Sequence, residues 1–309
     1  MRHGKYRFII GFLAIPLALY GVLVISPFVQ DFQISMTDWS GISSDKKFIG
    51  LDNYQKLIHN DLFWKSLSHN IIMLLVVPLV TLSLGLFFAF MLNVGGRRRG
   101  SAAGVSGVRG SSIYKVVFFF PQVLSVTIIA VLWQQIYNPD NKEGLLNALL
   151  GNLGLASLQH AWLGDKSTAL ACIMVVMIWA NVGFYVVLFS AGMASIPTEI
   201  YEAARLDGAE RGTTFFRITL PLLRDTVATG WVYMGIMAMD GFAFVQLMSV
   251  NNGGPDESTD VLPLLLYKTA FRDNSQFGYA ASMGVAMLIV TLIFAVLSMR
   301  LSRRDRIEF

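Results

Sequence analysis

Six stretches of this chain are long and apolar enough to cross a bilayer, and that leaves few choices of fold. They run Phe8–Val29, Ile71–Leu92, Val116–Tyr137, Thr168–Met193, Thr226–Val250 and Phe277–Met299. Five hold no formal charge, and the fifth in order holds one acid, Asp240. A helix needs about 20 mostly apolar residues to traverse the hydrocarbon core. Closed β-barrels are the other way to satisfy backbone groups in lipid. Their strands show alternating polarity over about 10 residues, and these runs do not alternate. The reading is an all-α integral membrane protein with six transmembrane helices.

Basic residues orient the helices. Arg2, Lys5 and Arg7 precede the first run, Arg97, Arg98, Arg99, Arg109 and Lys115 follow the second, and Arg300, Arg303, Arg304 and Arg306 follow the sixth. With six spans, all of these lie on one side, which the positive-inside rule makes cytoplasmic. Both termini are therefore expected in the cytoplasm, in a multi-pass protein of the cell membrane. The pI of about 9.2 then reflects topology, and no nucleic-acid partner is expected. Only 14% of residues are charged, against about 25% in soluble domains, which excludes an ordinary soluble enzyme. We divide the chain into residues 1–65, holding the first span and an outer loop, and a core at 66–309. A basic start before an apolar run also fits a signal peptide. Phe8–Val29 is long for that, and SPFVQD offers no small-residue cleavage site, so the run is expected to remain as the first span.

Catalytic chemistry finds little support. Cys172, the one cysteine, lies in an apolar run and reads as a small filler. His3, His59, His69 and His160 are scattered without metal-ligand spacing. WLGDKST, from Trp162, lacks the glycine and Gly-Lys order of a phosphate-binding loop. No nucleophile–base arrangement stands out. The Gly-, Ser- and Arg-rich segment Gly95–Ser112 reads as a flexible connector. No repeat of about 20–50 residues is visible.

One polar island interrupts the apolar pattern: EAARLDGAERGTTFFRITLP, from Glu202. It lies between the fourth and fifth runs, on the expected cytoplasmic side. Pro197 suits the start of a short helix, and Glu199 and Glu202 sit near its N-terminus, where the dipole favours anions. Gly208 can adopt the left-handed conformation that ends it. Ile200, Ala203 and Ala204 share a face at helical spacing, and the alanines keep that face low enough for another protein to approach closely. An amphipathic linker on the lipid surface, with Phe215 and Phe216 dipping in, fits the residues equally well.

The spacing Glu202-Ala203-Ala204, then Gly208, then Ile218, Leu220 and Pro221 resembles the EAA signature of binding-protein-dependent ABC importer permeases. FIGLDNYQ from Phe48, NNGGPDESTDVLPLLLYKTAF from Asn251 and the FGYAASMG entry to the last run are similar to carbohydrate permeases, particularly the maltose- and glycerol-phosphate-type first subunit. The insert after Arg97 is longer than that family usually has. The resemblance implies the six-helix type I importer permease fold, with residues 195–221 carrying a coupling helix that docks on an ATP-hydrolysing subunit. Glu202, Ala203, Ala204, Asp207 and Gly208 are the expected coupling residues. The implied partners are a second homologous permease, two cytoplasmic ATPase copies and an extracytoplasmic sugar-binding protein, which would contact Gly253, Gly254 and Pro255. This chain would bind no cofactor, ATP and Mg being held by the ATPase.

For a sugar path, Asn181 and Tyr185 stand at i and i+4 in the fourth run beside Trp179, while Asp240, Gln134 and the weaker Gln135 offer further polar groups. Intramembrane polar residues mark solute paths, although helix–helix contacts explain each of them as well. An ion-coupled secondary transporter is the rival reading, weakened by the lone intramembrane Asp and the absence of paired repeats.

Overall fold

The computed structural model describes residues 2–42, 45–94, 108, 110–140, 143–273 and 275–302. Most of the Gly95–Ser112 connector and the basic tail beyond Ser302 lie outside the described residues. The helices are, in chain order, α1 (Arg2–Tyr20), α2 (Ser26–Ile34), α3 (Asp52–Ile58), α4 (Asp61–Val94), α5 (Ser111–Val123), α6 (Val126–Ile136), α7 (Leu145–Asn152), α8 (Ala169–Ala194), α9 (Thr198–Leu206), α10 (Arg211–Thr214), α11 (Leu220–Leu222), α12 (Arg224–Met239), α13 (Phe242–Met248), α14 (Leu262–Tyr267) and α15 (Phe277–Ser302). Among the described residues the only β pairing is an isolated bridge between Thr37 and Phe48.

Four segments, Ile9–Ile34, Asp61–Asn93, Ala169–Ala194 and Phe277–Arg300, are long and apolar enough to span a membrane, and two bent pairs raise the number to six if each pair is one span. The bends are where the structure departs from uninterrupted spans. The third run breaks between α5 and α6 with a 98° change of direction. Pro121 removes a helical N–H near the end of α5. Leu124 and Ser125 then turn extended, and the Ser125 hydroxyl caps α6 by accepting from Ile128 N (3.4 Å). The fifth run bends by 44° between α12 and α13. There Asp240 leaves helical geometry, and Phe242 N donates to its carbonyl (2.6 Å). Between α1 and α2 a π turn, Gly21–Ile25, keeps the helix continuous. Pro27 just beyond it lacks an N–H, and its ring crowds the preceding turn, which the wider i→i+5 pattern relieves.

The chain divides into two compact units. In one, residues 1–65 and 262–290, short polar contacts shape the segment after α2. Buried Asn53 donates to the carbonyls of Ser35 and Thr37 (both 2.8 Å), and the Tyr54 hydroxyl meets Ser35 Oγ at 2.6 Å. Asn60 caps α4 by accepting from Leu62 N (2.9 Å) and donates to the Tyr279 hydroxyl (2.8 Å). The Gly278 N–H bonds the Trp39 carbonyl (3.0 Å), and Trp39 packs on Phe277.

In the other unit, residues 66–261 and 291–309, α8 is the axis. Ile173, Val176, Tyr185, Val186 and Phe189 along it are almost fully buried. Helix α5 runs beside α8, so close at Gly183 that a Cβ there would collide with the Phe118 carbonyl. Small residues at helix crossings allow such approach in membrane proteins. Asn70 of α4 donates to the Met239 carbonyl (3.1 Å), and Gln134 of α6 to the Leu247 carbonyl (2.7 Å), so each bent pair is tied to a neighbouring helix.

Gly183→Val should cost about 1–3 kcal/mol or more by overpacking, read as a lower unfolding temperature in detergent. Gly21→Val, whose Cβ would meet open space, should leave that temperature unchanged.

Candidate functional site

The polar island folds as a short helix with a defined end. Helix α9 begins directly after Pro197, carries Glu199 in its first turn and Arg205 in its last, and so sets both charges favourably against its dipole. Its C-terminus is a complete Schellman closure. Gly208 takes φ +77°, its N–H bonds the Arg205 carbonyl (3.1 Å), and Ala209 N reaches back to the Ala204 carbonyl (2.9 Å). Nothing crowds Gly208, so glycine is required by conformation rather than space.

The faces of α9 divide differently from the expected single low face. Tyr201 and Ala204 turn inward and are buried, and Ile200 is half-buried. Ala203 points outward with Leu206, which is 89% exposed. Glu202 is half-buried and Asp207 exposed. Leu206 escaped sequence reasoning because it lies outside the three-residue signature. Its signal was a large apolar side chain one turn after Ala203 with no inward partner.

Hydroxyl bonds to a neighbouring hydroxyl and to backbone carbonyls hold the inward face. The Tyr201 hydroxyl meets Thr219 Oγ1 (3.3 Å), which donates to the Thr214 carbonyl (3.3 Å), and Thr214 Oγ1 donates to the Glu210 carbonyl (3.0 Å). Burial raises the Tyr201 phenol above its ordinary pKa, against the opposing bond to Thr219, so it stays neutral. Phe215, opening a π turn at Phe215–Thr219, packs edge-on against Phe90 of α4 with centroids 4.9 Å apart.

The expected path residues do not share one environment. Asn181 is buried and donates to the Met177 carbonyl of its own helix (2.8 Å). Tyr185 is buried and donates to the Gly230 carbonyl of α12 (3.4 Å). Both sit inside the bundle of this chain. Asp240 is exposed at the α12–α13 bend, and Gln134 and Gln135 are exposed on α6. Beside Gln134 the structure brings together Trp133 and Trp179, whose rings meet edge-on at 5.5 Å. Trp133 was not singled out from sequence, although its neighbour Gln134 was.

The Gly253-Gly254-Pro255 segment forms a tight turn. Asn251, Asn252, Gly253, Gly254, Asp256 and Glu257 all have positive φ. Gly254 lies over the Ser258 and Thr259 hydroxyls, where a Cβ would come within 3.0 and 2.8 Å. Thr259 N donates to the Gly253 carbonyl (2.9 Å), and its Oγ1 meets Ser249 Oγ (2.7 Å). Gly253 is buried, while Asn251, Asp256 and Glu257 are exposed, Asp256 pairing with Lys166 at 3.5 Å. Nearby, bonds from Ser167 lower the Asp165 carboxyl below its ordinary pKa, and His160 stands 3.4 Å from it. Among the described residues no His, Cys, Asp and Glu group is placed to hold a metal.

Residues 71–306 match the family described as "Binding-protein-dependent transport system inner membrane component". The chain is 44% identical over 300 residues to the diacetylchitobiose uptake system permease protein NgcF of Streptomyces coelicolor, covering 97% of this chain and 83% of that one. It is 31% identical to the multiple sugar-binding transport system permease protein MsmF of Streptococcus mutans, over 95% of this chain and 94% of that one. A crystal structure of a bacterial ABC transporter importing the acidic polysaccharide alginate shares the fold, with a TM-score of 0.81 at 20% identity and 98% coverage of both chains.

Gly208→Asn, whose short polar side chain tolerates the left-handed conformation, should keep α9 closed, whereas Gly208→Val should fray it, because an ordinary side chain there costs about 1–2 kcal/mol. Hydrogen exchange at the Gly208 and Ala209 amides, slow in the first variant and accelerated several-fold in the second, checks this.

Proposed function

The chain belongs to the family of binding-protein-dependent transport system inner membrane components, and on that premise we propose that it translocates a sugar as one permease subunit of an ATP-driven importer. Two relatives are named for diacetylchitobiose and multiple-sugar uptake, so diacetylchitobiose is the first solute to assay. In this reading each bent helix pair is one span, the spans number six, and both termini face the cytoplasm. A second homologous permease completes the pore. Two ATPase subunits hold ATP and Mg, and an extracytoplasmic binding protein delivers the sugar.

The observation that carries the proposal is α9. The EAA segment is a rigid helix closed at Gly208, braced inward by Tyr201 and Ala204, and offering Ala203 and Leu206 outward. A short, well-anchored helix with an exposed apolar tip is suited to a groove on a partner. Glu202, Asp207 and Arg205 would frame that contact and fix its register. When the ATPase pair closes on nucleotide, a rigid α9 moves as a body, and the Phe215–Phe90 contact passes the displacement to α4.

On the path, exposed Asp240 and Gln134 are proposed to meet sugar hydroxyls, with the Trp133–Trp179 pair offering an apolar face for a sugar ring. Asn181 and Tyr185 would reach the solute only when α8 and α12 rearrange during alternating access. Gly253, Gly254 and Pro255 would shape the binding-protein contact, the exposed edge of their turn being Asn251, Asp256 and Glu257. Family membership favours this importer over an ion-coupled transporter.

Ala203→Cys should form a cross-link to an ATPase subunit, and uptake should be vanadate-sensitive. Its absence in assembled, inserted transporter overturns the coupling reading. Leu206→Asp should weaken ATPase association by about 2 kcal/mol, the scale of an interface hot spot, measured by retention of the ATPase on affinity-purified permease.

A further inference from the structure

A groove of about 540 Å³ lies between α4 and the segment that follows α9. That volume falls within the roughly 300–1,000 Å³ of small-ligand sites. Phe87 and Phe90 line it from α4, Phe215, Phe216 and Leu220 line it from the other side, and Arg211 brings a cation to it. Phe87 and Phe216 are 53% and 68% exposed, so the groove opens outward rather than into the bundle. Along α4 it extends from Ser83 to Met91, about 12 Å of helix axis. One leaflet contributes about half of the ~30 Å hydrocarbon core, so groove and acyl layer are of similar depth. Arg211 belongs to the stretch between two candidate spans, and its side chain is exposed, a place that would bring it to the headgroup level.

We propose that this groove seats one acyl chain of an anionic phospholipid whose phosphate is held by Arg211. The two ends of such a molecule match the two chemistries of the groove: aromatic walls for the chain, and a guanidinium whose paired N–H donors fit phosphate oxygens. A zwitterionic lipid would fill the walls equally but meet Arg211 with no net charge. The seated lipid would brace Phe215 and Phe216 against α4, at the root of the α9 segment. The inference rests on the chain being a membrane protein of its family and goes beyond the coupling role, which it does not require.

The test uses the full-length chain, with whatever subunits co-assemble, in phosphatidylcholine nanodiscs. Traces of phosphatidylglycerol or phosphatidylcholine carrying a mid-chain diazirine are added, and photoadducts are mapped by mass spectrometry. Adducts on Phe87, Phe90 or Phe216 should be about five-fold more abundant from the anionic probe, equivalent to the ~1 kcal/mol that one basic residue contributes at an anionic membrane surface. Arg211→Gln should equalise the two probes. Gly212→Phe, whose side chain starts from open space at the groove, should remove adducts from both there and leave those on exposed α1 intact. Equal labelling of the wild-type groove by the two probes overturns the proposal. So does a cross-link from the groove to another polypeptide in place of lipid. Neither result depends on transport, so the coupling reading stands or falls separately.

Discussion

A peptide group left without a hydrogen-bond partner in lipid costs several kcal/mol. That penalty explains both the unbroken helices and the devices found where helices break. Between α5 and α6 the chain turns by 98°, and Ser125 supplies the acceptor that the new helix start lacks. Between α12 and α13 the Asp240 carbonyl takes the Phe242 N–H at once. Neighbouring helices complete the repair, through Asn70 to the Met239 carbonyl and Gln134 to the Leu247 carbonyl. Breaks in spanning helices are tolerated where protein or a watery cavity surrounds them, and the break between α12 and α13 is where exposed Asp240 is found.

The segment after α8 faces a different demand, because a helix of nine residues is not stable by itself. Its stability has to come from packing. On the inside the Tyr201 hydroxyl meets that of Thr219, which donates to the Thr214 carbonyl, and Phe215 adds an aromatic anchor on α4. The outward face is thereby released from structural duty, which lets Ala203 and Leu206 stay exposed without loosening the helix. Rigidity within and apolar exposure without are what a mechanical contact between two proteins requires.

The apolar helices were legible because runs of this length admit only one regular structure in lipid, and four of the six runs form single segments long enough to span a membrane. The α9 helix and its end were legible for a local reason: Gly208 is needed for its φ, and that requirement is written in one residue. The orientation of α9 was not legible. Ala203 and Ala204 are chemically identical, and only tertiary packing turns one inward and the other outward. The α5–α6 bend was hidden as well, since Val116–Tyr137 has the composition of a straight span, and Pro121 alone does not announce a right-angle turn. The roles of Asn53 and Asn60 depend on carbonyls and hydroxyls that the fold brings near them, one of them from Tyr279 at the far end of the sequence.

The turn at Asn251–Glu257 has an implication for recognition. Four of its non-glycine residues, Asn251, Asn252, Asp256 and Glu257, already occupy left-handed backbone conformations, each a state that L-residues enter only at some cost. Thr259 and Ser249 hold that shape from beneath before any visitor arrives. A protein that landed on this rim would meet a finished relief with no slack chain to tame, so encounter there would be governed by diffusion and fit.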